Sequence, residues 1–363
     1  MSASRMAPLQ PRPLSWTLAT TLDAIDFFSG LKNAEKRIEL GLPADSPQQM
    51  SPLRLVDFVN SLQRLEPAIW EQAFNVAVLV ASLVRTGILV EFPGGTPPFG
   101  SGYVTMFPGA TRAQASGHLW LSACIGPELL IRTYGAATIP ITGKDSTGDV
   151  HIGTGFALDR HHLLTNAHVV NGMTVDEVIE TSSITSPLEP NVLMAPGTIR
   201  TGKIHAHPII DVAVVEIDHI AGQFSPADGV AFRDPAWIDQ VLTFGYSPVP
   251  LTRTASLLVQ KGEVVNPSVQ SYTGEQYFLY SATTRPGNSG GPIVAQDGRV
   301  IGIVAHAAET LGSPEPNGVS DAAAHAAPFY RAVPTSQIVR ALADLGLNNL
   351  VPVETWKHSR DGF

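Results

Sequence analysis

Arg285-Pro286-Gly287-Asn288-Ser289-Gly290-Gly291-Pro292 is the stretch on which the fold of this 363-residue chain turns. Glycines flank the serine on both sides, so the backbone can turn tightly and approach a carbonyl with no Cβ in the way. Such a turn can aim the amides of Gly287 and Ser289 at one point, where they would steady an oxyanion. The apolar Ile293-Val294-Ala295 that follows reads as a buried strand able to stiffen the turn. A simple connection between two strands is the other explanation of these glycines.

A serine becomes a nucleophile when a base of near-neutral pKa takes its proton and returns it to the leaving group. The base in turn needs a partner that holds its tautomer. Leu163-Leu164-Thr165-Asn166-Ala167-His168-Val169-Val170 suits the base, a histidine at the end of an apolar strand beside a small alanine. Ile209-Ile210-Asp211-Val212-Ala213-Val214-Val215-Glu216-Ile217 suits the orienting acid, because a carboxylate inside an apolar run is costly without a specific partner. Taken singly, His168 also suits a satisfied core or surface histidine, and Asp211 a turn or cap residue.

Taken together, in the order His, Asp, Ser, the three segments resemble those of the trypsin-like (chymotrypsin-fold) serine peptidases. Thr165-Asn166-Ala167-His168-Val169-Val170, Asp211-Val212-Ala213-Val214-Val215 and Gly287-Asn288-Ser289-Gly290-Gly291-Pro292 are most similar to the bacterial HtrA-like branch. Gly153-Thr154-Gly155-Phe156 matches the Gly-x-Gly-Phe strand of that branch, and Arg331-Ala332-Val333-Pro334 resembles the end of its peptidase domain. The resemblance spans residues 135–347. The spacings, 43 residues from His168 to Asp211 and 78 from Asp211 to Ser289, fit two successive six-stranded barrels.

The resemblance implies two perpendicular antiparallel barrels with the active site between them. His168 and Asp211 would come from the first barrel and Ser289 from the second, with the amides of Gly287 and Ser289 as the oxyanion hole. It implies a serine endopeptidase acting through an acyl-enzyme intermediate on a protein or peptide substrate, with no cofactor. Ala305, His306 and Ala307 would pair with the substrate backbone. Thr283, six residues before Ser289, would lie at the base of the first specificity pocket. A neutral threonine there disfavours Arg or Lys before the scissile bond; a small or medium apolar residue is expected. Asn288 stands where many secreted relatives carry the aspartate that pairs with a newly cut N-terminus, so activation by trimming is not expected. Residues 309–327 are a candidate for an ordering loop instead. The 16 residues after 347 are too few for a C-terminal PDZ module.

Bulk properties narrow the setting. Hydrophobic residues make up 44% and charged residues 15%, a globular composition long enough for about two domains. The net charge of −9 gives nothing toward phosphate neutralisation, so no nucleic-acid partner is expected. Cys124 is the sole cysteine, read as a small buried apolar residue, and can form no internal disulfide. The first 16 residues lack the charged start, apolar stretch and cleavage site of a signal peptide. The most apolar run, residues 73–84, is about half of the ~20 residues a membrane span needs, so it reads as a buried helix. Together these features predict a cytoplasmic protein with no membrane partner. His205 and His207 alternate at a spacing that suits a metal. Asp211 is already assigned and no thiol is near, so no metal site is expected. Glu216 reads as a solvated edge residue.

The expected class is multidomain α and β: an α-helical N-terminal domain (1–130), then a two-barrel antiparallel β chymotrypsin-like peptidase domain (131–347), then a tail (348–363). In the first domain Leu55, Phe58, Val59 and Leu62 form a helical stripe, with Ser51-Pro52 as its start signal. More helix is expected between Arg112 and Tyr134, broken at Gly126-Pro127. Short β runs are expected at 137–142, 150–158, 212–217, 277–281 and 299–306, and a capped helix after Pro334. The N-terminal domain is expected to regulate the enzyme or recruit a protein partner. Two other functions fit the same chain: a binding or chaperone-like protein that keeps the scaffold without turnover, and an esterase-like hydrolase.

Overall fold

The computed structural model describes residues 12–43, 50–96, 98–105, 118–181, 197–221, 229–249, 251, 255–271, 274–305 and 329–354. They fall into two compact units. The smaller lies within Met1–Gly109 and Ala123–Glu128; the larger is drawn from Ala110–Ser122, Leu129–Pro187 and Asn191–Phe363.

The smaller unit packs helices α1 (Leu14–Phe27), α2 (Asn33–Glu39), α3 (Leu55–Leu62) and α4 (Ala73–Arg85) with a small sheet. The sheet has the order β1 (Leu53–Arg54), β3 (Gly102–Val104), β2 (Val90–Phe92). Its aromatic core is Phe27, Phe28, Phe58 and Tyr103, whose ring centroids lie 5.1 to 5.4 Å apart. The expected stripe of Leu55, Phe58, Val59 and Leu62 is buried. Its helix starts later than Ser51-Pro52 suggested. Leu53 and Arg54 pair with Tyr103 and Gly102, and the Arg54 N–H donates to the Asp57 carboxylate at 3.0 Å, which caps the helix there. The apolar run at 73–84 forms α4, which buries Val76, Leu79, Val80 and Leu83 and leaves Phe74 and Val78 exposed. Cys124 is half-buried, and burial pushes its thiol up to about 11.

Helix α5 (Glu128–Ala137), nearly all of it in the larger unit, is preceded by the expected break at Gly126-Pro127. The first β half is a seven-stranded antiparallel sheet. Its members are β4 (Thr138–Lys144), β5 (Val150–Ala157), β6 (His162–Thr165), β7 (Thr174–Val175), β8 (Val178–Glu180), β9 (Thr198–Ala206) and β10 (Ala213–Ala221). They run in the order β7-β4-β5-β6-β10-β9-β8, so among the described residues this half stays open between its short end strands. The second half is a closed six-stranded barrel of β11 (Gln240–Ser247), β12 (Ser256–Gln270), β13 (Gln276–Tyr280), β14 (Pro292–Ala295), β15 (Val300–Val304) and β16 (Tyr330–Pro334).

Inward-facing Val241, Val264, Phe278, Ile293 and Ile301 fill the closed barrel. Tyr134 of α5 sits where the two halves meet: its ring lies 5.6 Å from Phe156 of β5 and 5.9 Å from Phe244 of β11. Its buried hydroxyl donates to the Gly298 carbonyl at 2.8 Å. A buried Arg233 grips Asp239 with both terminal nitrogens, at 2.7 and 2.9 Å, and Asp297 through Nε at 2.8 Å. Helix α6 (Ala167–Asn171) follows β6, and α7 (Thr335–Asp344) follows β16.

Candidate active site

Strand pairing brings His168 and Asp211 together. In the antiparallel pair β6–β10, Thr165 faces Ala213. His168 lies three residues past one strand and Asp211 two before the other, so both emerge from the same end of the pair. Asp211 then grips the histidine twice. Its Oδ1 accepts the His168 N–H at 3.0 Å, and its Oδ2 lies 2.8 Å from His168 Nδ1. Asn166 Nδ2 donates to the Asp211 carbonyl at 2.8 Å and fixes the acid's own backbone. A carboxylate at Nδ1 holds the proton there and leaves Nε2 as the basic nitrogen.

Ser289 sits in the turn between β13 and β14. Asn288 N–H donates to Arg285 O, and Gly291 N–H to Asn288 O, both at 3.0 Å. Gly290 N–H reaches Val304 O of β15 at 3.0 Å, which ties the turn to the barrel. Gly287 (φ 97°) and Gly290 (φ 86°) occupy the left-handed region, and a Cβ at Gly290 would stand 2.2 Å from the Thr154 carbonyl.

Buried Thr154 of β5, in the Gly153-Thr154-Gly155-Phe156 stretch, reaches across to the same turn. Its N–H donates to Ser289 O at 2.9 Å and its hydroxyl to Gly287 O at 2.7 Å. The same hydroxyl accepts the Tyr246 N–H at 2.8 Å. With these carbonyls engaged, the amides of Gly287 and Ser289 have no acceptor among the described residues. His168, Gly287 and Ser289 line one cavity of about 160 Å³ with His151, Ile152 and Pro286.

The expected substrate residues lie outside this cavity or outside the described residues. Thr283 is exposed between β13 and the Ser289 turn. Ala305 is buried at the end of β15 with its N–H committed to Arg331 O at 3.1 Å, so only its carbonyl is left for a substrate backbone. His306, Ala307 and the 309–327 segment lie outside the described residues. A larger cavity, about 530 Å³, is lined by Asp211 itself with His207, Ile210, Tyr277, Gln337 and Arg340.

His205 and His207 each have partners of their own. His205 Nε2 lies 2.7 Å from Glu216 Oε1, so Glu216 is half-buried and paired, not simply solvated, and this bond holds its carboxyl below the usual range. Buried His207 accepts the N–H groups of Ile209 (3.1 Å) and Ile210 (2.8 Å) at Nδ1, which shapes the loop leading into Asp211. That role, and that of Thr154, escaped sequence reasoning. Each acts through a backbone contact that no local pattern marks, although Thr154 did fall inside the Gly-x-Gly-Phe stretch.

Residues 153–303 match the family described as the trypsin-like peptidase domain, a stretch that contains His168, Asp211 and Ser289. An uncharacterised protein of Sinorhizobium fredii is 28% identical over 166 residues, 44% of this chain. The chain spans 23% of that relative's length. Among solved structures, a serine endoprotease of Yersinia pestis is 20% identical, with 61% of this chain and 66% of that one covered and a TM-score of 0.39. A protease of M. tuberculosis in its active form is 18% identical, with 71% and 94% covered and a TM-score of 0.41. The HtrA-type protease AlgW with a tripeptide is 18% identical, with 60% and 62% covered and a TM-score of 0.40. The match to the trypsin-like peptidase domain, residues 153–303, falls almost entirely within the larger unit.

Proposed function

We propose that the protein is a serine endopeptidase in which Ser289 is the nucleophile, His168 the general base and Asp211 the group that orients the base. One observation carries this: His168 is gripped at both N–H and Nδ1 by the two oxygens of Asp211 while lining one cavity with Gly287 and Ser289. Ser289 Oγ attacks the carbonyl carbon of the scissile bond as His168 Nε2 takes its proton. Asp211 stabilises the imidazolium, and the amides of Gly287 and Ser289 receive the oxyanion. The C–N bond then breaks, and Nε2 returns the proton to the departing amine. Water, deprotonated by the same nitrogen, cleaves the acyl-enzyme and frees the carboxylate and the serine.

The finer points belong to the same proposal. A cytoplasmic location is supported by the sole cysteine. Control by the N-terminal helical unit is supported by the length of chain outside the peptidase domain.

The test is labelling of the full chain by a fluorophosphonate, wild type beside Ser289→Ala. Labelling of wild type alone is the expected result. Labelling of both would place the reactive group elsewhere. Labelling of neither would turn the assignment toward a scaffold that binds without turnover.

A further inference from the structure

The oxyanion-hole assignment places a demand on one peptide group. Gly287 N–H belongs to the plane that also carries the Pro286 carbonyl. A trans peptide holds its N–H and C=O in opposite directions, so whatever fixes the carbonyl fixes the amide. Ser247, at the end of β11, does this: its hydroxyl donates to the Pro286 carbonyl at 2.9 Å. Ser247 is 1% exposed, so no bulk solvent competes for that bond.

The next carbonyl, Gly287 O, is held separately by Thr154, and Gly287 packs so closely that a Cβ would stand 2.4 Å from Tyr246 O and 3.2 Å from Ser247 Cα. The one loose torsion pair is therefore ψ of Pro286 with φ of Gly287. Glycine admits φ of either sign, so this peptide can turn over unless something holds it.

We propose that Ser247 is a positioning residue: a hydroxyl latch that keeps the 286–287 peptide turned with its N–H into the cleft. The proposal rests on the serine-peptidase reading above. Its prediction about peptide orientation can be checked without any activity.

The test uses the full-length chain with Ser247→Ala, and the near-isosteric pair Ser247→Thr and Ser247→Val, which differ by a hydroxyl against a methyl. Removal of the hydroxyl is expected to lower kcat on a small peptide ester by tenfold or more, with the loss of one oxyanion donor, about 10²–10³-fold, as the ceiling. KM should stay near the wild-type value, a peptide boronate should bind more weakly in parallel with kcat, and Ser247→Thr should recover what Ser247→Val does not. Wild-type kcat in Ser247→Ala, or equal loss in the Thr and Val variants, overturns the latch. Crystal structures of wild type and Ser247→Ala separate the two ideas. If wild type proves inactive the peptidase reading fails, yet a Pro286 carbonyl that turns over only in Ser247→Ala still supports the latch, and an unmoved carbonyl refutes it.

Discussion

Asp211 contacts His168 through both oxygens, and the two contacts do different things. The bond to the N–H places the histidine, while the contact at Nδ1 selects its tautomer. Asp211→Asn preserves the shape but offers an N–H to Nδ1, so Nε2 would carry the proton. Hydrolysis by this variant at neutral pH is expected to fall about 10⁴-fold, the loss such a reversal causes in triads of this kind, with little change in melting temperature. Gly290→Ala should also abolish fluorophosphonate labelling, by another route: its Cβ meets the Thr154 carbonyl at 2.2 Å, and the positive φ disfavours any side chain. Labelling of Gly290→Ala at the wild-type rate would show that the turn is far softer than its contacts indicate. Gly290 was legible in the sequence because glycines and a serine in one turn leave a local pattern, and His168 and Asp211 because each stands at or in an apolar run. Ser247 and Thr154 were not, since they reach the turn across gaps of 39 and 133 residues.

Among the secondary-structure elements, the strands mattered more than the helices. Short apolar runs between turn residues located β4, β5, β10, β13 and β15 in advance, because side-chain alternation and burial are local properties. The start of α3 was misplaced because pairing of Leu53 and Arg54 with a strand about fifty residues away in sequence overrides a local start signal. The closed barrel is braced at one end by the Arg233 clamp. Asp239→Ala would leave a buried guanidinium with half of its partners, and it is expected to cost about 3–5 kcal/mol, measured by the urea midpoint. A change of under about 0.5 kcal/mol, the range of ordinary surface substitutions, would mean that Asp297 and the Asp234 carbonyl suffice for the arginine.

For the molecule as a whole, acid should reveal which carboxylates favour the folded state. Glu216 is lowered by its bond to His205. Asp145 is lowered first by the hydroxyl of Thr147, then by His151 and the amides of Thr147 and Asp149. A folded pKa below the unfolded one gives stability that is present above the unfolded value, about 4, and is lost as pH falls through the folded one. The urea midpoint should therefore decline below about pH 4, and the Asp145→Asn, Glu216→Gln double variant should decline less steeply. Identical slopes would assign the acid sensitivity to other groups.

The sequence alone determined the class of the larger unit. The turn glycines, the alternating strands and the order of His168, Asp211 and Ser289 are all written locally. Tertiary structure alone decided what holds the site in place: Thr154 on two carbonyls of the serine turn, Ser247 on a third, and His207 on the loop into Asp211. The physical reason is that a buried hydrogen bond needs only two groups in the right place, and chain closure can bring them from any separation.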